Sequence, residues 1–132
     1  MGTFLYVRMR VYINLSKGGF LFMGHDIYGQ NKTGEAIAYI RFTMWDSCAY
    51  TFYHLLDATD CYAGVSGSGD SKTLSLPQME KALEAKNELF NKDFSRQPKD
   101  DFLVWQQKEI QKFITSCLET AQKEGSVKVL FS

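Results

Sequence analysis

Gly24-His25-Asp26-Ile27-Tyr28-Gly29-Gln30-Asn31-Lys32-Thr33-Gly34-Glu35-Ala36-Ile37-Ala38-Tyr39-Ile40-Arg41-Phe42 is the stretch on which the fold turns. It divides into two strands, Gly24 to Asn31 and Glu35 to Phe42, joined by Asn31 to Gly34. Asparagine at the first turn position and glycine at the last fit a type I turn whose glycine adopts the left-handed conformation and forms a bulge. In the second strand Ala36, Ala38, Ile40 and Phe42 face one way and Ile37, Tyr39 and Arg41 the other, so both faces are expected to be partly covered.

Downstream of the hairpin the period changes from two to about 3.6. A helix is expected over about 47–58, capped by Asp46 or Ser47, with Cys48, Phe52, Leu55 and Leu56 at core-facing spacing. Residues 59–73 read as a long connection holding Gly64, Gly67 and Gly69. A second helix, about 76–92, has the sharpest start signal: Ser75 as N-cap, Gln78 three residues on, and Leu74 placed to staple against Met79. A third, about 102–123, carries the stripe Leu103, Ile110, Phe113, Ile114, Cys117, Leu118 and Ala121 and stops at Gly125. Residues 126–131 then close the chain as a strand. The expected class is α+β: a small antiparallel sheet of the hairpin 24–42 and strand 126–131, packed with three helices.

Residues 1–22 stand apart, holding Arg8, Arg10 and Lys17 but no acid. Two expectations attach to them. Leu5, Val7, Met9, Val11, Ile13 and Leu15 alternate as in an added edge strand over 3–15. Against that, Lys17-Gly18-Gly19 can be encoded by a purine-rich ribosome-binding sequence, which would make Met23 the start and the leader untranslated; a compact gene of that kind suits a bacterium or phage. Residues 23–132 form a single globular domain on either view.

Bulk properties narrow the function classes. With 132 residues, 45% of them hydrophobic and only two prolines, the chain can bury a core without staples. A formal net charge of zero removes the field that would draw it to nucleic acid or an anionic membrane, and neither is expected as a partner. Cys48, Cys61 and Cys117 are an odd, widely spaced set that suits free thiols in the cytoplasm.

Chemistry-bearing candidates are few. Gly64, Ser66, Gly67, Ser68, Gly69 and Lys72 resemble a loop whose amides converge on an anion, but Ser71 stands where a phosphate loop needs glycine. His25 and Asp26 are a base and a carboxylate, yet neighbours on a regular strand point to opposite faces. His54 lies on a helix, and Cys61 heads the glycine-rich connection beside Asp60, where a nucleophilic role would need a nearby histidine. No metal-ligand spacing is present and no cofactor is called for. Two functions stay open. One is a non-catalytic interaction or regulatory protein that binds a protein partner through a sheet face or edge, with a homodimer as one form. The other is a small-ligand or anion-binding protein, with or without catalysis, using loop 64–73 with Cys61 and a histidine.

Overall fold

The computed structural model describes residues 24–93 and 101–132; the expected strand 3–15 lies outside them. Four antiparallel strands, β1 (His25–Gln30), β2 (Ala36–Phe42), β3 (Ser71–Ser75) and β4 (Ser126–Phe131), form one sheet in the order β2-β1-β4-β3. Among the described residues three α-helices accompany it: α1 (Ser47–Leu55), α2 (Leu76–Asp93) and α3 (Asp101–Glu124). The chain is α+β, as its pattern implied.

Each boundary follows from local chemistry. Asn31 Oδ1 accepts from the amides of Thr33 and Glu35, which shapes the hairpin turn, and Gly34 takes φ 85°. Asp46 caps α1 by accepting from the Cys48 amide at 2.9 Å. Ser75 and Gln78 form the reciprocal box at the start of α2, the Ser75 amide donating to Gln78 Oε1 at 2.8 Å and the Gln78 amide to Ser75 Oγ at 3.3 Å.

Register sets the two faces of the sheet. Ile27 pairs with Ile40 on one side and Phe131 on the other, and Val127 with Leu74. These residues, with His25, Phe42 and Val129, face the helices and are buried. They meet Phe52, Tyr53, Met79, Ile110, Phe113, Ile114, Cys117 and Ala121 in one continuous core. α3 lies across β1, β2 and β4, and α2 packs on α3 and β3.

Three expectations need correction. Helix α1 ends at Leu55 rather than near 58, because Asp57 enters the left-handed region at φ 55° and the Leu56 and Asp57 amides bond back to Phe52 and His54 carbonyls. The connection 59–73 is not structureless: Thr59–Cys61 is a 3-10 turn, and residues 71–75 are the edge strand β3. The β1–β2 register shifts between Gly29 and Gln30. That bulge turns Ile37 to the helix side, where its Cδ1 and Cys117 Sγ fill the space a Cβ on Gly29 would take.

Candidate functional site: a buried histidine cluster and an exposed aromatic end

His25 projects from the first position of β1 into the core and is fully buried. Its Nδ1 lies 2.9 Å from the Tyr53 hydroxyl of α1, and its ring stacks on Tyr62 with centroids 5.2 Å apart and planes 7° from parallel. Tyr50 and Tyr53 each meet Tyr62 edge-on. Nε2 is buried and makes no hydrogen bond of acceptable geometry among the described residues. Burial lowers the histidine's pKa below its ordinary 6.5, the Gly64 backbone opposing this and the Arg41 charge adding to it. The ring is therefore neutral at physiological pH.

Asp26 leaves the strand on the opposite face, its carboxylate accepting from the Tyr39 hydroxyl at 2.5 Å and Arg41 Nη1 at 2.7 Å. The two adjacent residues work in separate environments. His54 is exposed on α1.

Cys61 is buried beside Tyr53, and burial raises its thiol pKa, with Asp60 adding to the rise. Such a thiol stays protonated and is a poor nucleophile. Cys48 and Cys117 are likewise pushed up, to about 11 and about 12, chiefly by burial.

The glycine-rich loop lies against this cluster and is tied to the sheet. Gly67 donates its amide to the Ser132 carbonyl at 3.2 Å, Ser68 to Cys61 at 2.8 Å and Gly69 to Phe131 at 2.7 Å, while Gly24 donates to Val65 at 2.6 Å. These loop amides, which would have to converge on an anion, point at backbone carbonyls. A Cβ on Gly67 would stand 2.5 Å from the Phe131 carbonyl carbon, so this glycine serves a close backbone approach. Lys72 Nζ bonds the Asp57 carbonyl at 3.1 Å and Asp60 Oδ1 at 2.8 Å. Ser66 and Ser68 turn their hydroxyls to the Gly67 carbonyl and the Asp70 carboxylate.

The structure thus brings His25, Cys61 and the glycine loop together and packs them with Tyr53 and Tyr62. Two hollows on the described surface lie elsewhere. One of about 100 Å³ opens between the three helices, lined by Cys48, Leu55, Leu103 and Ile110, and an open groove of about 900 Å³ runs beside the hairpin turn and α3. Among the described residues no group of three His, Cys, Asp or Glu side chains could hold a metal ion. No described helix is long and apolar enough to cross a membrane.

A second feature escaped the sequence reading. Trp45 is 80% exposed, and at the N-terminal end of α3 Phe102 and Trp105 are 54% and 53% exposed, their rings 5.9 Å apart. Asp46 joins the two segments: while one carboxylate oxygen caps α1, the other accepts from Gln106 Nε2 at 2.6 Å. Trp45 and Trp105 are the chain's two tryptophans, and both belong to this end of the helical layer. The available signal was negative: neither Phe102 nor Trp105 fits the apolar stripe of α3.

Compared with protein-family models, with curated proteins and with solved structures, the chain matches none.

Proposed function

We propose that this chain is a non-catalytic interaction domain that binds another protein through the aromatic end formed by Trp45, Phe102 and Trp105. The observation carrying the proposal is the exposure of three large rings on two segments that the Asp46–Gln106 bond ties together. Solvent-exposed aromatics of this size are the usual anchors of protein interfaces, where Trp contributes heavily. The chemistry-bearing groups give the complementary support: His25 is buried and neutral, the Cys61 thiol is raised, and Lys72 is engaged within the fold. The sequence pointed to a sheet face or edge, but the largest exposed rings lie in the turn before α1 and at the start of α3. Three free cysteines, two of them buried, suit a reducing compartment such as the cytoplasm.

The test is photocrosslinking in cells of the source organism. A benzophenone amino acid replacing Trp45 is compared with one replacing Gln122, an exposed residue near the far end of α3. Adducts formed from position 45 and not from 122 are expected. Equal labelling, or no adduct from position 45, would remove the proposal.

A further inference from the structure

Helix α3 begins with a stripe that is complementary to itself. Asp101, Val104, Trp105 and Lys108 follow one another at three, four and three residues, share one helical face, and are all exposed. Laid against an identical helix running the other way, with a two-fold axis crossing between Val104 and Trp105, this stripe sets Asp101 opposite Lys108 at both ends. Val104 then meets Trp105 twice in the middle. Asp101 and Lys108 have no ion-pair partner among the described residues, whereas Lys112, one turn further on, is paired to Glu109 at 3.1 Å. An isologous contact demands this pattern: residue i meets j, and j meets i.

We infer that the aromatic end is a homodimer interface in which a second copy of this chain packs its α3 antiparallel across the axis at Val104 and Trp105. This rests on the interaction reading and names the partner. Asp46, bonded to Gln106 on the buried face of α3, ties the turn that carries Trp45 to the N-terminal part of that helix. Taking 150–250 Å² for each aromatic side chain, the exposed parts of Trp45, Phe102 and Trp105 offer roughly 400 Å² per copy. A standard interface takes about 800 Å² from each partner. The rings thus supply about half, Val104 adds to the apolar centre, and Asp101, Lys108 and the adjoining helix faces surround them as a polar rim. The chain's zero net charge leaves no overall repulsion between copies.

The experiment uses the full chain, with sedimentation velocity and native mass spectrometry over about a thousandfold dilution, a span that brackets a dissociation constant to the nearest decade or so. A dimer is expected that dissociates on dilution with a red shift of tryptophan emission, since both tryptophans leave the contact. Asp101→Lys and Lys108→Asp alone should each weaken the dimer about tenfold, because the two-fold repeats every like-charge contact. The combined exchange Asp101→Lys with Lys108→Asp should restore it, a rescue that only this register produces. Circular dichroism establishes that each variant is folded. A monomer at every concentration, or a dimer indifferent to both single changes, would overturn the inference. If position 45 then still crosslinks to a different protein in cells, the interaction reading stands and the second copy is the part that failed.

Discussion

The hydrogen bond between Tyr53 and His25 offers the most direct test of how the interior is held. Tyr53→Phe removes one oxygen from a fully buried site and leaves the ring in place, so packing changes little. What it takes away is the hydroxyl partner of His25 Nδ1, in a ring whose Nε2 makes no hydrogen bond of acceptable geometry among the described residues. A buried polar atom left unsatisfied costs about 1–3 kcal/mol, a sizeable part of the ~5–15 kcal/mol that holds a small domain together. At roughly 4 °C per kcal/mol for a domain of this length, the melting midpoint should fall by about 4–12 °C. Replacing both partners by apolar residues, with His25→Leu added to Tyr53→Phe, should recover a good part of the loss, since no imidazole remains to be satisfied. The pH dependence has a defined sign. Burial lowers the folded-state pKa of His25 below 6.5, so below that pH the unfolded chain binds more protons than the native one. Its contribution is complete above pH 6.5 and is lost as pH falls from there through the folded-state pKa. The groups facing it are the Tyr53 hydroxyl, the stacked Tyr62 ring, the Gly64 backbone and, by charge, Arg41, Asp26 and Asp46. Urea titrations at a series of pH values should show that decline in the parent and a flatter profile in His25→Leu. If Tyr53→Phe stays within about 0.5 kcal/mol of the parent, the range of an ordinary surface change, the cluster is not held as described.

Two further substitutions probe the glycine loop, and one the junction of the helices. Gly67→Ala drives a methyl into the Phe131 backbone and should cost at least the ~1–3 kcal/mol typical of overpacking, read as a lower denaturant midpoint; unchanged stability would show that the loop can lift off β4. Phosphate or nucleotide should leave the melting temperature of the parent unmoved, because the Gly67, Ser68 and Gly69 amides and Lys72 are already engaged, and a rise abolished by Lys72→Ala would mean that the loop opens to bind anions. Asp46→Asn keeps an N-cap of equal rank on α1 but can offer only one oxygen where the carboxylate serves two donors. Helix content should hold while tryptophan emission shifts, and identical emission in parent and variant would show that the Gln106 bond does not position the rings.

What the sequence made legible is what local rules decide. Asn31 and Gly34 specify their turn within four residues, Ser75 and Gln78 close a box across three, and Gly125 stops α3 at φ 89° where a left-handed residue was expected. Strand β3 was hidden because an edge strand with one wet face needs little apolar sequence: of Ser71 to Ser75 only Leu74 is buried. The buried face of α3 includes Gln106 and that of α2 includes Lys86, both of which the apolar stripe passes over. Lys86 buries its stem, donates Nζ to Gln111 Oε1 and lies 5.5 Å from the Phe90 ring centroid, a tertiary solution that no spacing rule encodes. The candidate site divides the same way. That His25 and Asp26 part company follows from strand geometry, but that His25 meets Tyr53, 28 residues away, follows only from packing.

The same division explains why the chemistry-bearing residues and the binding surface separate in this fold. Every polar group near the glycine loop sits where the sheet ends, and strand ends leave amides and carbonyls that must find partners or pay desolvation. Here β4 ends against the loop: Phe131 and Ser132 accept from Gly69 and Gly67, and Lys72 ties β3 to the turn at Asp57 and Asp60. Residues that resemble an anion cradle in one dimension are, in three, the means by which an open sheet edge is closed. The helical layer has the opposite problem. Beyond their first turns α1 and α3 satisfy their own backbone groups, and one carboxylate, Asp46, accepts both from the Cys48 amide at the start of α1 and from the Gln106 side chain in the second turn of α3. Nothing polar there requires the neighbouring side chains to be large or apolar, so Trp45 and Trp105 add exposed hydrophobic area without completing the core. That surplus is what a second protein surface would cover.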